Sequence, residues 1–541
     1  MIFAKRASAK VCVLKKHLYI LPSMLVVMVV CGWFATAGTW KFIEVEMLSN
    51  FYDAQADSLI DGRLDVPCKV ISGEAFVYNN KCYGYFGITP ALFRFLANSV
   101  APEYRGKWGR VSVFIAVFLN ILVGYFFLVF TRVTDHGLKL STKLVYSLFI
   151  ITIGIGSTNV FLTSPAFIYH EAIIWGVALA LAAYALISLF AITGSVTALW
   201  MCVFTIFLAL NARLNTGLAP SILLLTIIGS VSIIDVKKDR PNSLEFAMIS
   251  LIHYFRVNLS MPGRLRVMIL VLVIGSMLMP FALNHLKFKS YGAVPLQYHV
   301  QLSNNPERLA RTVGNILQPS NVSFILYHYF SPLSVSLTSD PPWFAMGQYD
   351  WHLSQFPRAK LDNLEPVVSL PDTSSALMIL SLIGVMAAFA KDSAYAKFRL
   401  TLLASLLGGA LILFVAALSH RYTHEFYPFL VIAAAIGLNR LVSIDGRRLK
   451  RGLIILFLIT LSISVYINIG TAFLHNFVRP EVRSVPVLWY SQVSGSDLYL
   501  PLIVSGCLAG AIVVVVFARV VPRTKVKLTS RQSQGGRKPN A

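Results

Sequence analysis

The chain has 541 residues, of which 56% are hydrophobic and only 13% carry a charge, and its mean hydropathy is +0.68. A soluble domain needs roughly 25% charged residues to cover its surface, so these values exclude a soluble globular protein. Most of the chain's perimeter is therefore expected to lie in lipid.

Apolar stretches long enough to cross a bilayer recur along the chain. A span needs about 20 apolar residues, and the following stretches come near that length: 18–38, 110–131, 144–163, 172–193, 195–211, 217–234, 266–284, 376–390, 399–418, 426–439, 452–472 and 501–520. The short pair within 195–234 has a re-entrant hairpin as its alternative. The sequence predicts an all-α polytopic membrane protein of about twelve transmembrane helices. Its membrane domain covers 18–472, and a last outer loop with the final helix covers 473–520.

The distribution of Lys and Arg predicts the orientation, because cytoplasmic segments carry an excess of these residues. With the basic tail 1–17 in the cytoplasm, the segments on that side account for the whole formal net charge of +23, and the outer segments are neutral. Both termini are then cytoplasmic, including a disordered basic tail at 521–541. This topology fits a bacterial inner membrane, where a basic rim meets anionic lipid headgroups. It explains the charge without nucleic acid as a partner.

Three outer segments are long, at 39–109, 285–375 and 473–500. Loops on a rigid scaffold are where binding and catalytic residues concentrate. We therefore expect the functional site on the outer face of the membrane.

The first outer loop is predicted to begin with an amphipathic helix. Within residues 44–62, Asp53, Asp57 and Asp61 mark one helical face, apolar residues mark another, and Gly62 is a helix stop. Acids four residues apart repel one another weakly. A solvated acidic face is one interpretation, and a carboxylate acting as a base or binding a polar substrate is the other.

A hairpin follows this helix. Residues 69–81 alternate apolar and polar side chains around an Asn79-Asn80 turn. Cys68 and Cys82 flank the hairpin in a compartment that permits disulfides. A bridge between them would close the hairpin, and two unpaired thiols are the alternative.

Groups suited to a sugar or a phosphate surround the hairpin. The aromatic rings of Tyr83 and Tyr85, with Glu74, suit a sugar, and the cations Lys81 and Arg94 suit a phosphate. Membrane anchoring by the aromatic residues and a solvated turn at Lys81 are the alternatives.

Two short outer segments are expected to complete such a pocket. His170 and Glu171 lie between the third and fourth spans, where a charge costs desolvation unless it is paired or functional. His420 and Arg421 lie between the ninth and tenth spans, and the guanidinium of Arg421 suits a lipid phosphate. A polar helix cap for the first pair and a structural ion pair with Glu425 for Arg421 are the alternatives.

The stretch from Phe51 to Arg94 resembles the first outer loop of bacterial GT-C-type membrane glycosyltransferases and their uncharacterised relatives. The similar runs are Phe51-Tyr-Asp53-Ala-Gln55-Ala-Asp57, Gly62-Arg-Leu-Asp65-Val-Pro67, Glu74-Ala-Phe and Lys81-Cys-Tyr83-Gly-Tyr-Phe-Gly-Ile-Thr-Pro-Ala-Leu-Phe-Arg94. The layout is also similar, with an acid-bearing helix after the first span and a large later outer loop. Better-known members often have an Asp-Glu pair where this chain has Tyr52-Asp53.

The resemblance implies a GT-C-like bundle with an inverting glycosyltransferase activity. Such enzymes move a sugar from a polyprenyl-phosphate carrier to an acceptor at the outer face, here an envelope glycan, lipid or protein. By position Asp53 is the expected general base. The remaining expected site residues are Asp57, Glu74, Tyr83, Tyr85, His170 and Glu171 for substrate or acceptor, and Lys81, Arg94, His420 and Arg421 for the lipid phosphate. Some members use a divalent cation (Mg²⁺ or Mn²⁺), for which Asp53 and Glu171 are the candidate ligands.

Two other functions remain open at this stage. A transporter or flippase for a lipid-linked envelope intermediate would need a central cavity that opens to alternate sides. A polysaccharide ligase would depend on outer Arg and His residues and would not need an acidic first loop. The chain has no Gly-x-x-x-x-Gly-Lys-Ser/Thr sequence, so ATP-driven transport by this chain alone is not expected.

Overall fold

The computed structural model describes residues 17–133, 139–236, 262–292, 294–312, 317–339, 342–347 and 354–478. Within these ranges the protein is an all-α polytopic membrane protein whose three small sheets each have two strands. The predicted twelfth span at 501–520, the tail 521–541 and nearly all of the tail 1–17 lie outside the described residues.

The described helices bear out seven of the predicted spans by length and composition, and four shorter apolar helices coincide with four others. Seven are long and apolar enough to cross a membrane: Leu18–Ala35, Gly109–Phe130, Ile168–Thr193, Gly263–Phe288, Ala396–Phe414, His420–Val442 and Arg447–Phe477. Four more are apolar but shorter: Leu140–Gly154, Val196–Ala212, Leu214–Gly229 and Ser375–Phe389. Each of the eleven overlaps one predicted stretch.

We number the α-helices and strands in chain order. The helices are α1 (Leu21–Ala35), α2 (Phe51–Ile60), α3 (Thr89–Val100), α4 (Gly109–Phe130), α5 (Leu140–Gly154), α6 (Asn159–Thr163), α7 (Ile168–Thr193), α8 (Val196–Ala212), α9 (Leu214–Val236), α10 (Gly263–Phe288), α11 (Val300–Ser303), α12 (Pro306–Arg311), α13 (Val322–Phe330), α14 (Leu370–Thr373), α15 (Ser375–Phe389), α16 (Arg399–Ala410), α17 (Tyr427–Val442) and α18 (Arg447–Phe473). The strands are β1 (Phe76–Tyr78), β2 (Lys81–Tyr83), β3 (Val335–Leu337), β4 (Phe344–Met346), β5 (Asn363–Leu364) and β6 (Ala417–Leu418).

The centre of the bundle is formed by α7 and α17, whose apolar windows are each 83% buried, whereas α10 is only 17% buried and lies at the periphery. Two glycines let α15 and α17 pack backbone to backbone. A Cβ added to Gly384 would lie 1.9 Å from the Ala433 carbonyl oxygen, and one added to Gly437 would lie 1.9 Å from that of Leu380. Close packing through small residues is how helices associate without water to drive them together.

Arg213 alone separates α8 from α9, in an extended conformation with φ of −157°. The preceding turn is built by Gly194, which ends α7 at φ of +68°, and by Ser195, whose side chain caps α8. Helix α9 has 23 residues, which corresponds to roughly 34 Å, and its apolar part, Leu214–Gly229, is among the four shorter helices.

The first outer loop has the predicted helix stop, hairpin and disulfide. Helix α2 ends where Gly62 takes a φ of +68°. The helix is confined to Phe51–Ile60, however, and its acids do not share one solvent-exposed face, because Asp53 is buried whereas Asp57 is partly exposed and Asp61 is exposed.

Strands β1 and β2 pair antiparallel around Asn79 and Asn80, both with positive φ, as a two-residue type I′ hairpin requires. Cys68 and Cys82 form a disulfide with their Cα atoms 5.2 Å apart. The loop is therefore a small folded unit attached to the bundle.

Candidate functional site

A cavity of about 370 Å³ lies where the two long loops meet one end of the bundle. Its walls come from the first loop (Glu74, Tyr85), the start of α7, the 285–375 loop (His299, Glu365), and the segment after β6 (Arg421). All of these segments belong to the side that the charge distribution predicts to be outside. The cavity thus combines carboxylates, cations and aromatic rings from parts of the chain far apart in sequence.

Backbone pairing holds the loops around this cavity. The amide of Val300 donates to the Ala75 carbonyl at 2.9 Å, and Phe76 forms an isolated bridge with His299, so the two long loops are joined. Strands β5 and β6 pair in parallel, with Asn363 opposite Ala417. This second link places the 285–375 loop beside Arg421.

Arg421 is held by a carboxylate on one side and by aromatic rings on others. Its Nη1 donates to Glu365 Oε2 at 2.8 Å, and its guanidinium carbon lies 4.9 Å from the ring centroid of Tyr169 and 5.2 Å from that of Tyr422. These contacts fix the position of the guanidinium plane. The buried Nε has no hydrogen-bond partner among the described residues. Arg421 is thus a fixed cation in the wall of the cavity, next to which an anionic ligand could bind.

Glu74 is the carboxylate that the first loop brings to the cavity. Gln301 Nε2 donates to its Oε1 at 2.9 Å, and His299 Nε2 lies 3.4 Å from its Oε2. Burial raises the pKa of Glu74, but hydrogen bonds from His299 and Tyr169, with the charges of His299 and Arg421, outweigh it, so the pKa lies below its ordinary value. Glu74 is consequently a carboxylate at neutral pH.

Two further acids from the 285–375 loop line the cavity. Burial raises the pKa of Glu365, but the charge of Arg421 and the hydrogen bond from Ser419 (2.5 Å) outweigh it and lower the pKa overall. Asp362 pairs with Arg308, whose Nε lies 2.5 Å from its Oδ1. Each of the two acids therefore lies next to a donor, and Glu365, like Glu74, is a carboxylate at neutral pH.

The structure places Asp53 elsewhere. Its side chain is 3% exposed, does not line this cavity, and forms an ion pair with Arg94 at 3.3 Å. Arg94 also pairs with Glu171 at 2.7 Å, and Asn98 donates to Asp53 Oδ1 at 2.8 Å. Ser112 donates to Glu171 at 2.5 Å. Asp53 therefore lies in a buried ion-pair network outside this cavity, and Glu74 is the carboxylate of the first loop that a ligand bound there would meet.

The same network bears on the expected metal pair. The guanidinium of Arg94 lies between Asp53 and Glu171 and contacts both carboxylates, so a divalent cation would have to displace it. These two residues do not fit a metal site. The described residues also contain no group of three or more His, Cys, Asp or Glu side chains arranged to hold a metal ion.

Of the sequence-predicted site residues, Glu74, Tyr85 and Arg421 meet in the cavity and the others lie outside it. Asp57 pairs with Arg105 at the surface, and Lys81 pairs with Asp65 at 3.3 Å. Tyr83 packs on Phe288, with ring centroids 5.4 Å apart. His170 and His420 are buried side chains that pack around Phe161. Arg94 and Glu171 belong to the buried network described above.

Sequence reasoning missed five acidic, basic or histidine side chains of the cavity: His299, Arg308, Asp362, Glu365 and His475. Asp362-Asn-Leu-Glu365 stands out in the 285–375 loop as two acids at i and i+3. What the sequence does not show is the parallel pairing of β5 with β6, which brings Glu365 next to Arg421.

Of the comparisons with known proteins, the one with solved structures gives matches. No family model matches the chain, and no curated protein matches it. Among six solved chains that match is the archaeal oligosaccharyltransferase AglB from Archaeoglobus fulgidus, in complex with an inhibitory peptide and a dolichol-phosphate. The two chains are 12% identical with a TM-score of 0.45, and the match covers 85% of this chain and 56% of that one. The chain thus spans little more than half the length of that protein.

Proposed function

We propose that this protein is a membrane glycosyltransferase that moves a sugar from a polyprenyl-phosphate donor to an acceptor hydroxyl at the outer face of the membrane. The observation that carries the proposal is the cavity itself, in which a guanidinium held between aromatic rings lies beside carboxylates at one end of the bundle. A lipid-linked donor is the substrate for which a site at the bilayer edge is suited.

Arg421 is proposed to bind the donor phosphate. When the bond between the anomeric carbon and the phosphate oxygen breaks, the electron pair leaves with the phosphate, and a fixed cation there stabilises the developing charge. The rings of Tyr169 and Tyr422 hold the guanidinium in place, so little reorganisation is needed. Glu365, which pairs with Arg421 in this structure, keeps the cation from being buried alone until the phosphate arrives.

Glu74 is proposed as the general base. In a single displacement, the acceptor oxygen attacks the anomeric carbon while its proton passes to the carboxylate. Neutral donors and a histidine surround Glu74, whereas Glu365 accepts directly from a guanidinium and is the poorer base. A lowered pKa keeps Glu74 fully ionised at neutral pH. As the acceptor oxygen forms its bond to the oxocarbenium-like anomeric carbon, its proton becomes acidic enough for a weak base to accept late in the step.

The test uses membranes containing the full chain, supplied with a panel of radiolabelled polyprenyl-phosphate hexoses and pentoses. Transfer of label to a membrane acceptor is the expected result. Glu74→Gln is expected to slow transfer at least about 100-fold, the usual contribution of a general base. Arg421→Gln is expected to slow it by a similar factor, as losing one oxyanion donor does.

Matched controls lie on α12 outside the cavity. Glu307→Gln and Arg311→Gln make the same chemical changes at exposed positions that do not line it, and both are expected to keep wild-type transfer. Transfer unchanged in Glu74→Gln and Arg421→Gln would contradict the site. Movement of intact donor across proteoliposomes without loss of its sugar would contradict the reaction and support a flippase.

A further inference from the structure

The opposite end of the bundle carries a second cavity, of about 730 Å³, with a different chemical character. It lies among the C-terminal ends of α4, α15 and α17 and the N-terminal ends of α5 and α18. Arg440, which lines it, is on the same helix as Tyr427, and their separation of thirteen positions corresponds to roughly 20 Å along the axis. The charge distribution predicts this end to face the cytoplasm.

Basic side chains from every one of these helix ends converge on this cavity. They are Arg132, Lys139, Lys391, Arg440 and Lys450, and Asp392 is the one acid among the described residues that line it. Cations near helix C-termini also complement the helix dipole. Complementing a helix dipole does not require cations from five helix ends to meet at one cavity. Binding an anion is the role for which such convergence is suited.

The floor of the cavity is polar, buried and internally bonded. Asn439 and Tyr146 are 4% and 1% exposed, and the Tyr146 hydroxyl bonds to the Asn439 side-chain oxygen. The amide nitrogen of Asn439 donates at 2.8 Å to both the Leu128 carbonyl and the Thr131 hydroxyl. Because the hydrogen bonds of the floor are already made, a ligand would bind at cations of the rim, of which Lys391 and Arg440 are both exposed.

Exposed apolar side chains flank the cavity on the same helices. Leu140 is 68% exposed, Met386 74%, Phe389 51% and Leu449 61%. Met386 and Phe389 lie five and two residues before Lys391, and Leu449 directly precedes Lys450. A ligand with an anionic head at the cations therefore has apolar surface next to it for its tails, which a free phosphate ion would not use.

We infer that this cavity binds the headgroup of an anionic glycerophospholipid from the adjacent leaflet, with the phosphodiester at Lys391 and Arg440 and the acyl chains along α5, α15 and α18. The inference is independent of the reaction proposed for the other end. Juxtamembrane cations contribute to such binding in a roughly additive way.

The test measures binding of a fluorescent phosphatidylglycerol to the purified full chain in detergent. Lys391→Gln with Arg440→Gln is expected to weaken binding about thirtyfold, close to fivefold for each cation removed. The matched control, Arg447→Gln with Arg448→Gln, removes the same charge from exposed positions on the same side that do not line the cavity. It is expected to weaken binding less than about threefold.

A charge-preserving variant, Lys391→Arg with Arg440→Lys, separates loss of binding from loss of folding and is expected to bind like wild type. Equal weakening in the two glutamine pairs would overturn the inference in favour of a general field from the basic rim. Equal binding of phosphatidylcholine would overturn the headgroup assignment. Displacement of the lipid by inorganic phosphate at equal concentration would overturn the lipid in favour of a soluble anion.

Discussion

Two clusters of carboxylates and arginine lie near the same end of the bundle and differ chiefly in access. In the sealed cluster, Asp53 and Glu171 are 3% and 1% exposed and both contact Arg94. In the open cluster, Glu74 and Glu365 are 16% and 26% exposed and line a cavity with Arg421. The same residue types are thus buried in ion pairs in one cluster and line an open cavity in the other. Residue type and position in a motif do not separate the two cases, but burial does.

The largest effect on stability is expected from removing Arg94, the cation that the two carboxylates of the sealed cluster share. Arg94→Met leaves two carboxylates buried without their shared partner, and it is expected to lower the free energy of unfolding by about 3–5 kcal/mol. Arg105→Met removes the cation of an ion pair whose side chains are 49% and 41% exposed, and about 1 kcal/mol or less is expected. Thermal unfolding of both variants in detergent measures the contrast. Equal losses would mean that Arg94 is not the internal counter-charge we describe.

The second-largest effect is expected from the disulfide that closes the hairpin of the first outer loop. The Cys68–Cys82 disulfide has a sequence separation of 14, and closing a loop of that size is worth about 3 kcal/mol through the entropy of the unfolded chain. A reducing agent should therefore lower the unfolding midpoint of the wild type. It should leave the Cys68→Ser, Cys82→Ser double variant unchanged, since that variant has no bridge to lose. A further drop in the double variant would show that reduction acts elsewhere.

The smallest expected effect is the pH dependence of the open cluster. The pKa values of Glu74 and Glu365 are lower in the folded protein than the ordinary 4.5, so the folded state binds fewer protons than the unfolded one in that range. Their contribution to stability is complete above pH 4.5 and is lost as the pH falls through the folded values. Unfolding midpoints should be insensitive to these groups from pH 7 to 5. Below pH 4.5, Glu74→Gln should flatten the decline and Glu307→Gln should not.

Much of the fold is visible in the sequence because its causes are local. Apolar runs of bilayer length predict the spans, and eleven of them coincide with described helices. Gly62 and the Asn79-Asn80 turn are short-range signals for backbone with positive φ, and the structure has it at all three residues. The spacing of the two outer-loop cysteines likewise anticipates the bridge that closes the hairpin.

The site was less predictable because its causes are tertiary. Arg421 is predictable as a site residue because arginine is always charged and stands in a short outer segment. Its partner Glu365 is not, because it is 56 residues away in sequence. Asp53 was chosen from the motif it resembles, and nothing in its local sequence shows that Arg94 lies over its carboxylate. A motif predicts a residue and the helix that bears it. It does not predict the tertiary neighbours that decide whether a substrate can reach the side chain.

The central claim is that chemistry takes place in the open cluster and not at Asp53. Its most direct test is the rate of sugar transfer per folded molecule in Asp53→Asn and Glu74→Gln, measured in the same membranes with the same labelled donors. Our account predicts that Asp53→Asn keeps transfer within about threefold of wild type, whereas Glu74→Gln falls at least about 100-fold. The reverse pattern, with Asp53→Asn inactive and Glu74→Gln active, would contradict it.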